Sequence, residues 1–181
     1  HKYPPRLPDE DVSWQIQEAA QSQLKEAGYL QYEVSAYAQT GAECRHNLNY
    51  WQFGDYLGIG AGSHGKITNM ENGAVLRTQR LKQPQSYMKA VMEGMPPGPA
   101  ARIEPRDLPF ECLMNGLRLR QGLETRHFEA RTGHSMTILE PMVTDLISQG
   151  LLERSATHLR CTAKGFNFLD TVLEHFLPAT C

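Results

Sequence analysis

Four prolines fall within the eleven residues 95–105, MPPGPAARIEP. A proline supplies no amide donor, so a helix arriving at this stretch cannot continue through it. The stretch therefore divides the chain into residues 1–94, a linker at 95–107, and a compact module at 108–181.

Before the linker, an irregular, proline-rich lead-in covers residues 1–8. Val12, Ile16, Ala19, Ala20, Leu24 and Ala27 then recur at three- and four-residue steps behind acidic residues, which predicts a helix over 9–27 that stops at Gly28. Residues 29–38 alternate, with Tyr32, Val34 and Ala36 on one side, and read as a strand. A helix feeding straight into a strand is half of an α/β repeat. Residues 56–60, YLGIG, read as a second short strand, and Asn72-Gly73 marks a hairpin turn in the following KITNMENGAVLRTQR. A short helix is expected over 81–93.

After the linker, residues 110–120 and 126–131 read as two helices, the second ended by Gly133. Thr137 and Glu140 are spaced as a capping box for a third helix carrying Ile138, Leu139, Met142, Val143, Leu146 and Ile147, with Pro141 tolerated in its first turn. Residues 151–162 read as a small hairpin and 163–177 as a closing helix. Three helices, a hairpin and a helix give a winged-helix-like order, but the third helix contains no Lys or Arg. Over 108–181 seven Lys/Arg face eight Asp/Glu, a net −1. A helix that enters a DNA groove needs cations to replace condensed counterions, so this module reads as a lid or docking surface.

The net charge of the 181 residues is −2, which gives no electrostatic reason to expect a nucleic-acid partner. The apolar runs are too short to cross a bilayer, and no secretory leader is read. The four cysteines, Cys44, Cys112, Cys161 and Cys181, fall in no CxxC or CxxxCxxC spacing, so the chain cannot build an iron–sulfur cluster alone. Scattered cysteines of this kind suit a reducing cytoplasm.

Two stretches carry candidate chemistry. Gly60, Gly62 and Gly65 satisfy G-x-G-x-x-G, but a hairpin rather than a helix follows, so the dinucleotide-binding reading fails. What remains is close backbone approach, or simply a tight bend. The second stretch is CRHNLNYW at residues 44–51. With residues 29–38 and 56–60 as successive parallel barrel strands, this stretch and the glycine run would both follow strand C-terminal ends and share one mouth. His46 could then offer a ring nitrogen to a metal, Asn47 and Asn49 could orient polar groups, and Tyr50 and Trp51 could present flat faces to a planar ligand such as a porphyrin. The alternative is that Tyr50 and Trp51 are core aromatics and His46 a satisfied hydrogen-bonding side chain.

YEVSAYA at 32–38, HNLNYW at 46–51, FGDYLGIGAGSHGK at 53–66 and LPFECLMNGLRL at 108–119, in that order, resemble the HemW family of haem chaperones. These are radical SAM proteins similar to oxygen-independent coproporphyrinogen III oxidase. The resemblance implies an α/β fold: the C-terminal part of a partial (β/α) radical SAM barrel, followed by a small winged-helix-like α+β domain. It implies haem as ligand, with HNLNYW as the haem motif, and the loop at Gly58, Gly60 and Gly62 near the S-adenosylmethionine pocket. His46 is the expected iron contact, Tyr50 and Trp51 flank the ring, His64 is a reserve ligand, and Arg45 and Lys66 are candidates for the propionates. The family's CxxxCxxC motif is not matched. The simplest account is a C-terminal fragment whose full-length protein holds the 4Fe-4S cluster and S-adenosylmethionine elsewhere. Haem-accepting enzymes are the implied partners, and the open strand edges of a partial barrel predict self-association. The rival within the family is oxidative decarboxylation of coproporphyrinogen III; the rival from another class is a winged-helix DNA-binding regulator.

Overall fold

A computed structural model describes residues 7–177. Most of the proline-rich lead-in and Cys181 lie outside the described residues. The chain folds as two units, His1–Cys44 and Arg45–Cys181.

In the first unit, helix α1 (Glu10–Glu26) starts where the Asp9 carboxylate accepts from the Val12 amide at 2.8 Å. Glu10 and Asp11 complement the positive end of the helix. The chain leaves through Gly28, whose φ of 82° lies in the left-handed region. The predicted apolar face is present but not covered: no residue of α1 is buried, and Ile16 is 58% exposed.

The strand expected over 29–38 is instead an antiparallel hairpin, β1 (Leu30–Glu33) and β2 (Ala36–Ala38). The buried Glu33 carboxylate turns the chain back by accepting from both the amide and the hydroxyl of Ser35, at 2.8 and 2.9 Å. Alternation of Tyr32, Val34 and Ala36 cannot reveal a turn closed by a side chain two residues away.

In the second unit, the glycine-rich loop leads into an antiparallel sheet of order β3-β4-β5: β3 (His64–Thr68), β4 (Val75–Gln79) and β5 (Ala100–Arg102). The Asn72-Gly73 turn is as expected, with Gly73 at φ 69°. Helix α3 (Pro84–Met92) lies between β4 and β5 in the chain. The proline-rich stretch does stop the helix, but Ala100–Arg102 then pairs as an edge strand, where missing amide donors are tolerated.

Residues 56–60 do not form the second strand. Tyr56 makes one antiparallel bridge to Lys66, and Leu57 and Ile59 are 74% and 84% exposed. All strand pairs among the described residues are antiparallel, which corrects the expectation of successive parallel strands.

The C-terminal part comprises α4 (Leu108–Gly116), β6 (Leu123–Glu124), α5 (Thr125–Thr132), α6 (Glu140–Ser148), β7 (Leu152–Arg154), β8 (His158–Cys161), α7 (Ala163–Asn167) and α8 (Leu169–Glu174). Its core is Cys112, Leu113, Leu117, Phe128, Val143, Leu146, Leu159 and Val172, each fully buried. Burying a side chain of this size contributes about 1.5–3 kcal/mol. The expected hairpin gains β6 as a third strand, in the order β6-β8-β7. Gly122 permits this, because a Cβ there would run into the Leu159 carbonyl and Arg160.

Two local expectations are corrected. The third helix does not start with a capping box: the Ser135 hydroxyl accepts from the Thr137 amide, a 3-10 turn (Met136–Leu139) follows, and α6 begins only at Glu140. The Thr137–Glu140 spacing thus falls a turn too early, and Glu140 pairs with Arg154 at 2.7 Å. Ile138 and Ile147, expected on its apolar face, are 45% and 39% exposed. The closing helix is broken at Phe168 into α7 and α8.

Candidate functional site

The stretch CRHNLNYW is not a loop: Arg45–Trp51 forms the helix α2. Its end is built with unusual backbone. Phe53 adopts φ 56°, a conformation that costs a non-glycine residue energy, and the amides of Phe53 and Gly54 return to the carbonyls of Tyr50 and Asn49 at 3.0 and 2.8 Å. The Asn49 side chain locks this turn by donating to the Asp55 carbonyl at 2.9 Å. A Cβ at Gly54 would collide with that same side chain.

From α2 the aromatic residues point two ways. His46 is exposed and meets the ring of Tyr50 edge-on, with centroids 4.8 Å apart. Tyr50 in turn lies 4.1 Å from Tyr56. Trp51 turns toward the C-terminal part, where the Arg118 guanidinium sits 4.4 Å from its ring centre. The indole nitrogen of Trp51 is buried without a hydrogen-bond partner. Asn47 is half-buried on the same helix. Cys44 and Arg45, just before and at its start, are exposed.

Under this helix lies a charged cluster that spacing did not reveal. Lys66 is 3% exposed; its ammonium donates to the Phe53 carbonyl at 2.9 Å, pairs with Asp55 at 3.2 Å, and lies 4.0 Å from the Phe53 ring centre. Burial pushes the Lys66 pKa down, with the Asp55 bond opposing. Burial would raise the Asp55 carboxyl, but bonds from the Thr68 amide and hydroxyl and from Lys66 outweigh it and hold the group below its ordinary value. Lys66 is therefore a structural cation clamping the left-handed turn, and it is not presented to a propionate as expected. Asp55 and Lys66 flank the glycine run in sequence, and that flanking was the available signal.

The glycine run serves close approach. A Cβ at Gly58 would strike the His64 carbonyl, and Gly60 and Gly62 have φ of 94° and 74°. The loop is fastened by Ser63 Oγ donating to the Gly60 carbonyl at 2.7 Å, by the Gly62 amide donating to Leu81, and by Arg80 Nε donating to the Gly58 carbonyl. Tyr56, adjacent to this loop, is what connects it to the aromatic face of α2.

His64 opens β3 and is exposed. With Arg77, Thr78, Gln79, Pro99 and Ala101 it lines an open groove of about 250 Å3. Arg77 bonds Glu111 of α4 at 2.6 Å. Burial, then Tyr50, raises the Tyr56 phenol above its ordinary value, while Arg77 draws it back. None of Tyr56, Arg77, Glu111 or Arg118 was predicted from the sequence, because their association is purely tertiary.

The described cysteines do not fit an iron–sulfur cluster. Cys44 is exposed, whereas Cys112 and Cys161 are buried, which pushes both thiols up to about 12. Among the described residues no group of three His, Cys, Asp or Glu side chains could hold a metal ion. A single exposed imidazole beside aromatic rings does fit a planar ligand that brings its own metal.

Residues 103–168 match the HemN C-terminal domain family. The solved coproporphyrinogen III oxidase (HemN) of Escherichia coli, a radical SAM enzyme, superposes with a TM-score of 0.68 at 17% identity over 94% of this chain and 42% of that one, a likeness of fold. The chain thus carries a HemN-type C-terminal domain at these residues and shares the fold of the corresponding part of HemN. Its sequence is similar to the heme chaperone HemW: 42% identical to that of Escherichia coli K12 over 96% of this chain and 45% of the relative, and 40% identical to that of Haemophilus influenzae over 96% and 44%. The mitochondrial radical S-adenosyl methionine domain-containing protein 1 of Mus musculus is 34% identical over 94% and 40%. The chain spans less than half the length of these relatives, and the recognition drawn from the four motifs is borne out.

Proposed function

We propose that this chain is the haem-binding part of a HemW-type chaperone that passes haem to haem-dependent enzymes. The observation carrying this reading is His46: an exposed imidazole on α2, edge-on to Tyr50, with Tyr56 extending the aromatic surface. Haem brings its own iron and macrocycle; the chain would supply an imidazole nitrogen, an aromatic surface and a cation for the carboxylates. His46 would contact the iron, Tyr50 would lie against the ring, and Asn47 would orient a polar group of the ligand. Trp51 and Asn49 hold α2 in place. His64 is a reserve ligand.

The wider architecture is part of the proposal. The likeness to HemN in fold and to HemW in sequence supports a radical SAM protein whose parallel barrel strands and 4Fe-4S cluster ligands lie outside this chain, with the loop at Gly58, Gly60 and Gly62 near the S-adenosylmethionine pocket. The order of helices and strands over 108–177 supports a winged-helix-like domain. A cytoplasmic location and self-association through uncovered strand edges belong to the same reading. Among the described residues no helix is long and apolar enough to cross a membrane.

The same likeness favours a second reading, oxidative decarboxylation of coproporphyrinogen III. Haem titration of the chain and of the protein containing it, followed at the Soret band, discriminates: a saturable band supports the chaperone, whereas no band together with porphyrinogen turnover supports the oxidase. The DNA-regulator alternative requires a salt-dependent shift of a duplex probe. The cation-free α6 predicts none.

A further inference from the structure

Tyr56, Lys66, Arg77 and Ala101 form one row across adjacent segments: Tyr56 bridges Lys66, Lys66 is opposite Arg77, and Arg77 is opposite Ala101. Directly opposed residues of antiparallel strands share a face, and two strand spacings amount to about 10 Å. Buried Lys66 has Tyr56 on one side of it in the row and Arg77 on the other; Tyr56 lies 4.1 Å from Tyr50, and Arg77 lines the groove that His64 also borders.

We propose that Arg77 is the carboxylate anchor of the haem site, exchanging Glu111 for a propionate of a tetrapyrrole that lies over Tyr50 and Tyr56. The proposal rests on the haem reading and replaces Lys66 and Arg45 in the propionate role. Arg77 is suited to exchange. Its side chain is 47% exposed, Nη2 bonds Glu111 at 2.6 Å, and no other protein partner engages its fork among the described residues. A guanidinium presents a planar set of donors that matches a carboxylate bidentately, which an ammonium cannot do. Glu111 is the more buried partner, at 18% exposed, and burial pushes its carboxyl up, with Arg77 opposing and Asp107 adding to the rise. Burial thus disfavours the charged form of Glu111 and weakens its hold on Arg77.

The test is a Soret titration of the full protein with haem and with haem dimethyl ester, whose propionates carry no charge, in the same detergent. Wild type is expected to bind haem at least tenfold more tightly than the ester. Arg77→Ala should lose about tenfold for haem and nothing for the ester, Arg77→Lys should recover part of the loss, and Glu111→Gln should tighten haem alone. Equal affinities of wild type for the two ligands, or equal weakening of both in Arg77→Ala, overturn the assignment while leaving haem binding intact. If Arg77→Ala fails to fold, the wild-type ratio and Glu111→Gln decide. Absence of any Soret change in wild type overturns both this proposal and the reading beneath it.

Discussion

The Arg118 guanidinium lies 4.4 Å from the centre of the Trp51 ring, joining the domain matched at residues 103–168 to the helix of the HNLNYW motif. A cation over an indole is worth about 0.5–1 kcal/mol when exposed and about 2 when desolvated. Here the indole nitrogen is buried, which favours the upper range. In a Trp14→Phe background, where Trp51 is the remaining tryptophan, Arg118→Ala should shift the emission to the red and lower stability by about 1–2 kcal/mol. Unchanged emission would show that the contact does not hold Trp51.

Asp55 and Lys66 predict a pH signature. The Asp55 carboxyl is held below its ordinary value, so its contribution is present above the unfolded pKa of about 3.9 and is lost as pH falls through the lowered folded value. Lys66 is also held low, so the folded chain releases its proton first, and stability gained from this group rises between the lowered value and the unfolded one near 10.4. Asp55→Asn should cost about 1–2 kcal/mol, less than breaking a fully buried pair, because solvent screens Asp55 at 34% exposure. Its acid limb should also flatten in urea midpoints measured from pH 2 to 5. A parallel curve displaced without change of slope would remove Asp55 from the account.

Gly54 is demanded by its neighbour. A methyl group there meets the side-chain and backbone oxygens of Asn49, so Gly54→Ala must eject the amide from its bond to Asp55 or shift the turn. Overpacking of this kind costs about 1–3 kcal/mol. Gly73→Ala, at φ 69° with open space around the added carbon, is the control for backbone strain alone at about 1 kcal/mol. Denaturant unfolding that ranks Gly54→Ala no worse than Gly73→Ala would contradict the bracing role given to Asn49.

Periodicity made the helices and two of the hairpins legible, because α1, α5 and the turn at Asn72-Gly73 are specified by caps, glycines and spacing within a few residues. It failed where a local side chain redirected the backbone: Glu33 closes a turn inside what reads as one strand, and Ser135 moves the start of α6. HNLNYW could be picked out as unusual, yet its helical state depends on the left-handed Phe53 and on Asn49, which no alternation pattern encodes. Lys66 was visible as a cation beside two interesting loops. Its burial beneath Phe53 was not, since a charge pair across eleven residues of glycine-rich chain leaves no periodic trace. The C-terminal edge strand β6, two residues long, is equally silent in sequence.

The central claim is that the exposed imidazole on α2 contacts haem iron. Its most direct measurement is a Soret titration of the full protein in which His46→Ala and His64→Ala are compared with wild type under identical conditions. The account predicts that His46→Ala shifts the Soret maximum and weakens binding by at least tenfold, while His64→Ala retains the wild-type spectrum. A His46→Ala spectrum and affinity indistinguishable from wild type would contradict it.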